Sequence, residues 1–254
     1  MTVESILLTA VQVSSFYIDQ LLAGATGFYF QRGNRLFLIT NRHMLIDEAA
    51  GHFPDRIELT LHVNRENIAE TRQFSMLLHD NKGAPNWIEA SDGGGLVDVV
   101  AIPIQRDALT EDCVFETFTE HHLVSELEQI EVGESVRIVG FPLGFKDNMH
   151  SLPVMRQAII ASSFSLRFQG QGYFLTDSLL HRGSSGSPVV YRLRSSSSGR
   201  ESLPWLLLGV HSARLDSENR DAEVDERLNL FCAWYADVLL TLTADNPATG
   251  ENIT

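Results

Sequence analysis

The segment His181-Arg182-Gly183-Ser184-Ser185-Gly186-Ser187-Pro188 sets a hydroxyl in a glycine-lined turn whose backbone N–H groups can converge on one point. That is the chemistry of acyl transfer, which needs a nucleophile and a cradle for the oxyanion it creates. Thr176-Asp177-Ser178-Leu179-Leu180 precedes the turn and the apolar Val189-Val190-Tyr191 follows it, as expected of a loop held between strands. A serine hydroxyl is a poor nucleophile until a base takes its proton, so a histidine and a group to orient it are required. Leu36-Phe37-Leu38-Ile39-Thr40 reads as a buried strand that runs into Asn41-Arg42-His43, which puts His43 where a strand leaves the core. Asp98, at the head of Asp98-Val99-Val100-Ala101-Ile102-Pro103-Ile104, is the carboxylate candidate. Its nearest rival is Asp92 in Ser91-Asp92-Gly93-Gly94-Gly95, although aspartate suits such a turn for conformational reasons alone.

The order His43, Asp98, Ser185, with these local sequences, resembles the trypsin-like (chymotrypsin-fold) serine peptidases in their bacterial, disulfide-poor form. Thr-Asn-Arg-His is similar to the family's Thr-Asn-Ala-His, Asp-Val-Val-Ala-Ile to its Asp-Leu-Ala-Leu-Leu, and Gly-Ser-Ser-Gly-Ser-Pro to its Gly-Asn-Ser-Gly-Ser-Pro. Among the three serines of the turn, Ser185 has a glycine two before and one after, as that pattern requires; Ser184 and Ser187 do not. Val136-Arg137-Ile138-Val139-Gly140-Phe141-Pro142 and Leu208-Gly209-Val210-His211-Ser212 are further echoes.

The resemblance implies an all-β fold of two six-stranded antiparallel β-barrels with a short C-terminal α-helix. It implies one peptidase domain over residues 1–254: a first barrel over 1–118, a crossing segment over 119–133, and a second barrel with the helix over 134–254. The residues themselves agree. Gln31-Arg32-Gly33-Asn34 is a hairpin turn between Gly24-Ala25-Thr26-Gly27-Phe28-Tyr29-Phe30 and the strand before His43, and Arg56-Ile57-Glu58-Leu59-Thr60-Leu61-His62-Val63 alternates as a half-buried strand does. The crossing segment is polar and partly helical, Ser195-Ser196-Ser197-Ser198-Gly199 reads as a surface loop, and residues 233–242 carry helix-compatible apolar spacing that would pack on the second barrel.

Composition narrows the partners. A formal charge of −14 and a pI near 5.0 argue against nucleic acid, whose phosphates call for a basic patch. Part of the acidity lies in residues 216–226, an expected solvated loop. There is no run of about 20 apolar residues, so no membrane partner is expected, and the N-terminus lacks the basic region of a secretory signal, which points to the cytoplasm. Two cysteines, Cys113 and Cys232, are too few for a disulfide scaffold, and the scattered histidines argue against a metal site, so neither metal nor cofactor is expected. Asn252-Ile253-Thr254 matches a glycosylation acceptor by chance if no secretion occurs.

By resemblance, His43 acts as base, Asp98 orients it, Ser185 attacks, and the N–H groups of Gly183 and Ser185 form the oxyanion hole, with a protein or peptide as substrate. Leu179, Leu180 and His181 would line the pocket for the substrate residue before the scissile bond, P1, together with His211, Ser212 and Arg214. Leu179 stands where enzymes that cut after Lys or Arg carry an aspartate, so that specificity is not expected. Gly209-Val210-His211 is similar to the Gly-Ile-His of glutamyl endopeptidases, which favours an acidic P1, while Leu179 and Leu180 favour a small or apolar one; His211 as a plain core residue is a third reading. Ser184 replaces the aspartate that pairs with a newly cut N-terminus in digestive members, so control would fall to loop ordering or a regulatory protein partner. A catalytically idle binding module is the alternative.

Overall fold

The computed structural model describes residues 3–125, 130–179, 181–193, 203–212 and 229–245. Among the described residues it is all-β apart from short 3-10 turns and one short helix. The first half contributes β1 (Ala10–Tyr17), β2 (Gln20–Arg32), β3 (Arg35–Thr40), β4 (Arg56–His62), β5 (Thr71–Leu77), the small hairpin β6 (Ser91–Asp92) and β7 (Gly95–Leu96), β8 (Val100–Ile104) and β9 (Phe118–Thr119). The second half contributes β10 (Ser135–Gly140), β11 (Val154–Ile160), β12 (Tyr173–Asp177), β13 (Pro188–Arg192), β14 (Trp205–Ser212) and β15 (Leu230–Tyr235), followed by α1 (Val238–Leu242).

Six antiparallel strands of the second half close into a barrel in the order β10-β11-β12-β15-β14-β13. In the first half the ladder follows β5-β4-β1-β2-β3-β8 and curls without closing between β5 and β8 among the described residues, while β9 adds a parallel pairing to β2. This is the chymotrypsin-like double barrel, with the first barrel left partly open.

β3 and β8 are apolar at nearly every position because both of their faces are covered. Along β3, Leu36 and Leu38 fill the first barrel with Val13, Ile57 and Leu59. Phe37 and Ile39 point the other way, into a shared seam with Phe28, Val139, Leu207 and Val210. β8 divides in the same manner, Val100 and Ile102 inward and Ala101 to the seam, as the period of two along a strand dictates. The second barrel has its own interior of Ile138, Ile160, Phe174, Val189 and Leu208.

Two local expectations shift. Helix-like spacing over residues 233–242 yields to a strand as far as Tyr235, because Leu230-Phe231-Cys232-Ala233-Trp234-Tyr235 is taken up by ladders on both sides, from β12 and β14. The helix that follows packs into the seam through Val238, Leu239 and Leu242, not on the second barrel alone. First-barrel arginines hold its end: Arg32 donates to Leu240 O, and Arg35 to Thr243 O at 2.5 Å and Ala244 O at 3.1 Å, supplying partners to carbonyls that have none within the helix. Cys113 and Cys232 are not in a disulfide. Of the crossing segment, Glu120–His122 forms a 3-10 turn, and residues 126–129 lie outside the described residues, as do the loops expected at 195–199 and 216–226 and the Asn252-Ile253-Thr254 motif.

Candidate active site

β3 and β8 are antiparallel partners with Thr40 opposite Val100. The residues just past one end of β3 and just before β8 are therefore neighbours, although the chain between them builds β4 to β7. His43 lies in the 3-10 turn Arg42–Met44 that follows β3, and Asp98 is two residues ahead of Val100. The two meet closely: Asp98 Oδ1 accepts the His43 backbone N–H at 2.9 Å, and Oδ2 lies 2.7 Å from His43 Nδ1. Ser212, at the end of β14, donates its hydroxyl to the same Oδ2 at 2.9 Å, and Asn41 donates its side-chain amide to the Asp98 carbonyl at 2.6 Å. The carboxylate thus receives three donors while its side chain stays 19% exposed, against 16% for His43. An oxygen that only accepts fixes Nδ1 as the protonated nitrogen and leaves the Nε2 lone pair as the basic one.

Ser185 sits in a double turn between β12 and β13, with Ser184 N donating to His181 O at 3.2 Å and Ser187 N to Ser184 O at 3.0 Å. Two glycines in the left-handed region make the turn feasible, Gly183 at φ +90° and Gly186 at φ +81°. Gly186 N donates to His211 O at 2.9 Å. The N–H groups of Gly183 and Ser185 donate to no described residue.

The turn is docked on the first barrel by Thr26, a fully buried residue of β2 that the motifs did not reveal. Thr26 N donates to Ser185 O at 2.9 Å, its hydroxyl donates to Gly183 O at 2.9 Å, and that hydroxyl accepts Phe141 N at 3.0 Å. Thr40 donates to Thr26 O at 2.8 Å, linking the strand before His43 to the same point. A side chain of such modest reach, far away in sequence, leaves no local signature. Ser185 itself is buried, and no hydrogen bond joins its Oγ to His43 Nε2.

The remaining expected site residues are spread more widely. Asp92 caps its own hairpin, accepting Gly94 N at 2.8 Å, with no bond to His43. Ser184 and Ser187 are buried, and neither hydroxyl has a partner among the described residues. Leu179 is 63% exposed and His181 is exposed; Leu180 and Arg214 lie outside the described residues. His211 is fully buried on β14, its ring edge-on to Phe231 at 5.3 Å, with neither ring nitrogen partnered among the described residues.

Burial, and secondarily the neighbouring His43, holds the His211 imidazole down at a pKa of about 3, against 6.5 for the free side chain. The sign of the consequence follows directly. Between pH 6.5 and 3 the unfolded chain is protonated here and the folded one is not, so this stability is complete above pH 6.5 and drains away as the solution becomes more acid. The difference in unfolding free energy between wild type and His211→Leu is expected to change by about 1.4 kcal/mol per pH unit across that window, read by urea titrations at stepped pH. Parallel pH curves for the two proteins would refute it.

The trypsin-like peptidase domain model matches residues 25–193, a stretch that includes His43, Asp98 and Ser185. No curated protein matches the chain. Among solved structures, the crystal structure of the serine endoprotease from Yersinia pestis is similar, with a TM-score of 0.51 at 13% identity over 94% of this chain. The chain spans 64% of the length of that protein, and at such low identity the likeness speaks for the fold alone. The match covers well over half of the sequence and the double barrel agrees with it: the chain belongs to the trypsin-like peptidase domain family.

Proposed function

We propose that this protein is a serine endopeptidase that hydrolyses peptide bonds through His43, Asp98 and Ser185. The observation that carries the reading is the Asp98 carboxylate, which takes the His43 N–H, Nδ1 and the Ser212 hydroxyl at once. A histidine oriented in this way has its Nε2 available to remove a proton. The Ser185 hydroxyl gives that proton to His43 as its oxygen bonds to the substrate carbonyl carbon. The oxyanion formed is met by the N–H groups of Gly183 and Ser185, which are unengaged among the described residues. His43 then hands the proton to the leaving amine as the C–N bond breaks, and water releases the acyl group by the same steps.

For P1, the buried imidazole of His211 supports an acidic side chain. A polar group buried without a partner is costly, and a carboxylate brought in by substrate would supply an acceptor for it. The exposed Leu179 supports a small or apolar P1 instead. Peptides differing only in Glu, Leu, Ala or Lys at P1 separate these: acidic preference is lost if Glu is cleaved no faster than Leu, and the whole assignment fails if Lys is best.

One observation favours a second reading, an enzyme idle until a partner engages it: Ser185 Oγ is not bonded to His43. Catalytic hydrogen bonds commonly tighten only with substrate bound, so the two readings part on reactivity. Purified wild type and Ser185→Ala are exposed to a fluorophosphonate, and adducts are located by mass spectrometry. Labelling at Ser185 that disappears in the mutant is the expected result. A folded wild type that stays unlabelled, alone and with cell extract, would exclude the peptidase reading; labelling only with extract would establish the partner-dependent one.

A further inference from the structure

Leu143 lies in the left-handed region, at φ 54° and ψ 24°, with its side chain 71% exposed. Leucine adopts this backbone rarely, and such conformers persist only where their surroundings impose them. No side-chain packing accounts for it here, but its backbone does something specific: Leu143 N donates to Arg182 O at 2.5 Å. Arg182 O belongs to the same peptide unit as Gly183 N, and in a trans peptide C=O and N–H point in opposite directions. Holding the carbonyl against Leu143 therefore turns the Gly183 N–H away from it, into the space where it donates to no described residue.

The segment that performs this is itself anchored. Phe141 N donates to Thr26 Oγ1 at 3.0 Å, Gly144 N to Phe141 O at 2.9 Å, and Lys146 Nζ to Gln12 Oε1 at 2.9 Å. Gly183 is pressed on the same side, where an added Cβ would come within 2.6 Å of Phe141 O and 2.9 Å of Leu143 N. We propose that Leu143 is a positioning residue: its backbone N–H holds the Arg182 carbonyl and thereby aims the Gly183 N–H at the oxyanion of the proposed acyl-transfer reaction. The inference rests on the peptidase reading for its catalytic consequence and on geometry alone for the peptide orientation. If the peptide turned over, the carbonyl oxygen of Arg182 would enter the site in place of a donor, and Leu143 N–H would be left without its acceptor.

The test removes only the donor. Leucic acid incorporated at position 143 of the full chain replaces the Leu143 N–H by an ester oxygen and keeps the side chain. Leu143→Gly, the conservative variant, keeps the N–H and adopts the left-handed backbone freely. The ester protein is expected to lose about tenfold or more in kcat with KM within about twofold, the pattern of an interaction made in the transition state. Its melting temperature should be unchanged, Leu143→Gly should restore wild-type kcat, and a crystal structure of the ester protein should show the Arg182–Gly183 peptide turned. A wild-type kcat in the ester protein, or losses in kcat, KM and melting temperature together, would overturn the proposal, as would an unturned peptide. Wild type that neither cleaves peptides nor is labelled at Ser185 refutes the peptidase reading instead, and the peptide orientation in the ester crystal then decides the clamp by itself.

Discussion

Asp98→Asn is expected to lower kcat by about 10⁴-fold, a loss of about 5.5 kcal/mol of transition-state stabilisation, while KM and folding stay close to wild type. The scale is that of the corresponding change in the family's template triad; the reason it applies here lies in the donors around the carboxylate. His43 N–H, His43 Nδ1 and Ser212 Oγ all approach Asp98 oxygens, at 2.9, 2.7 and 2.9 Å. Asparagine has one oxygen and one NH₂ group of the same shape. With its oxygen toward Nδ1, the NH₂ confronts the His43 backbone N–H, donor against donor. Reversed, the NH₂ donates to Nδ1 and drives the ring proton to Nε2, the atom that must accept from Ser185. The donor clash disfavours the first arrangement, and the second removes the base while leaving the volume filled, so the loss falls on kcat. Steady-state kinetics of wild type, Asp98→Asn and Asp98→Ala would check it. Activity of Asp98→Asn within tenfold of wild type would mean that another group, or none, orients His43.

Much of this site could be read from the chain because its chemistry is local. His43, Asp98 and Ser185 each sit beside a strand whose apolar run marks where the core ends, and β3 and β8 are conspicuous because both of their faces are buried. What eluded sequence reasoning is the set of contacts that cross between barrels. Thr26 looks like any threonine in a β-strand, yet it binds Ser185 O, Gly183 O and Phe141 N from a distance of more than a hundred residues. Arg32 and Arg35 read as hairpin-flanking charges, and their partnership with the end of α1 exists only after the chain has come back round. The helix begins later than local spacing suggests for the same reason: the spacing over residues 233–242 suits a helix, but two waiting strand edges claim Leu230–Tyr235. Leu143 shows the limit most sharply, since an exposed leucine gives no hint that its backbone N–H is what matters.

Gly186→Ala should destabilise the fold by about 2 to 5 kcal/mol, the sum of a left-handed backbone cost of about 1–2 and an overpacking cost of about 1–3. Gly186 has φ +81°, and an added Cβ would come within 2.1 Å of Thr26 O and 2.6 Å of Thr40 Oγ1. Neither atom can step aside cheaply, because Thr40 Oγ1 is already bonded to Thr26 O at 2.8 Å and Thr26 N to Ser185 O at 2.9 Å. A methyl group there separates the Ser185 turn from the first barrel, and with it Ser185 from the strand that carries His43. Gly33→Ala is the control: Gly33 also has positive φ, at +56°, but nothing lies within 4 Å of its Cβ position, so only the backbone cost of about 1–2 kcal/mol remains. Denaturant unfolding of both variants separates the two costs. If Gly186→Ala were as mild as Gly33→Ala, the turn would not be wedged against the first barrel; if it is far worse, as the geometry requires, the Ser185 turn is held by the fit of the two barrels as much as by its own sequence.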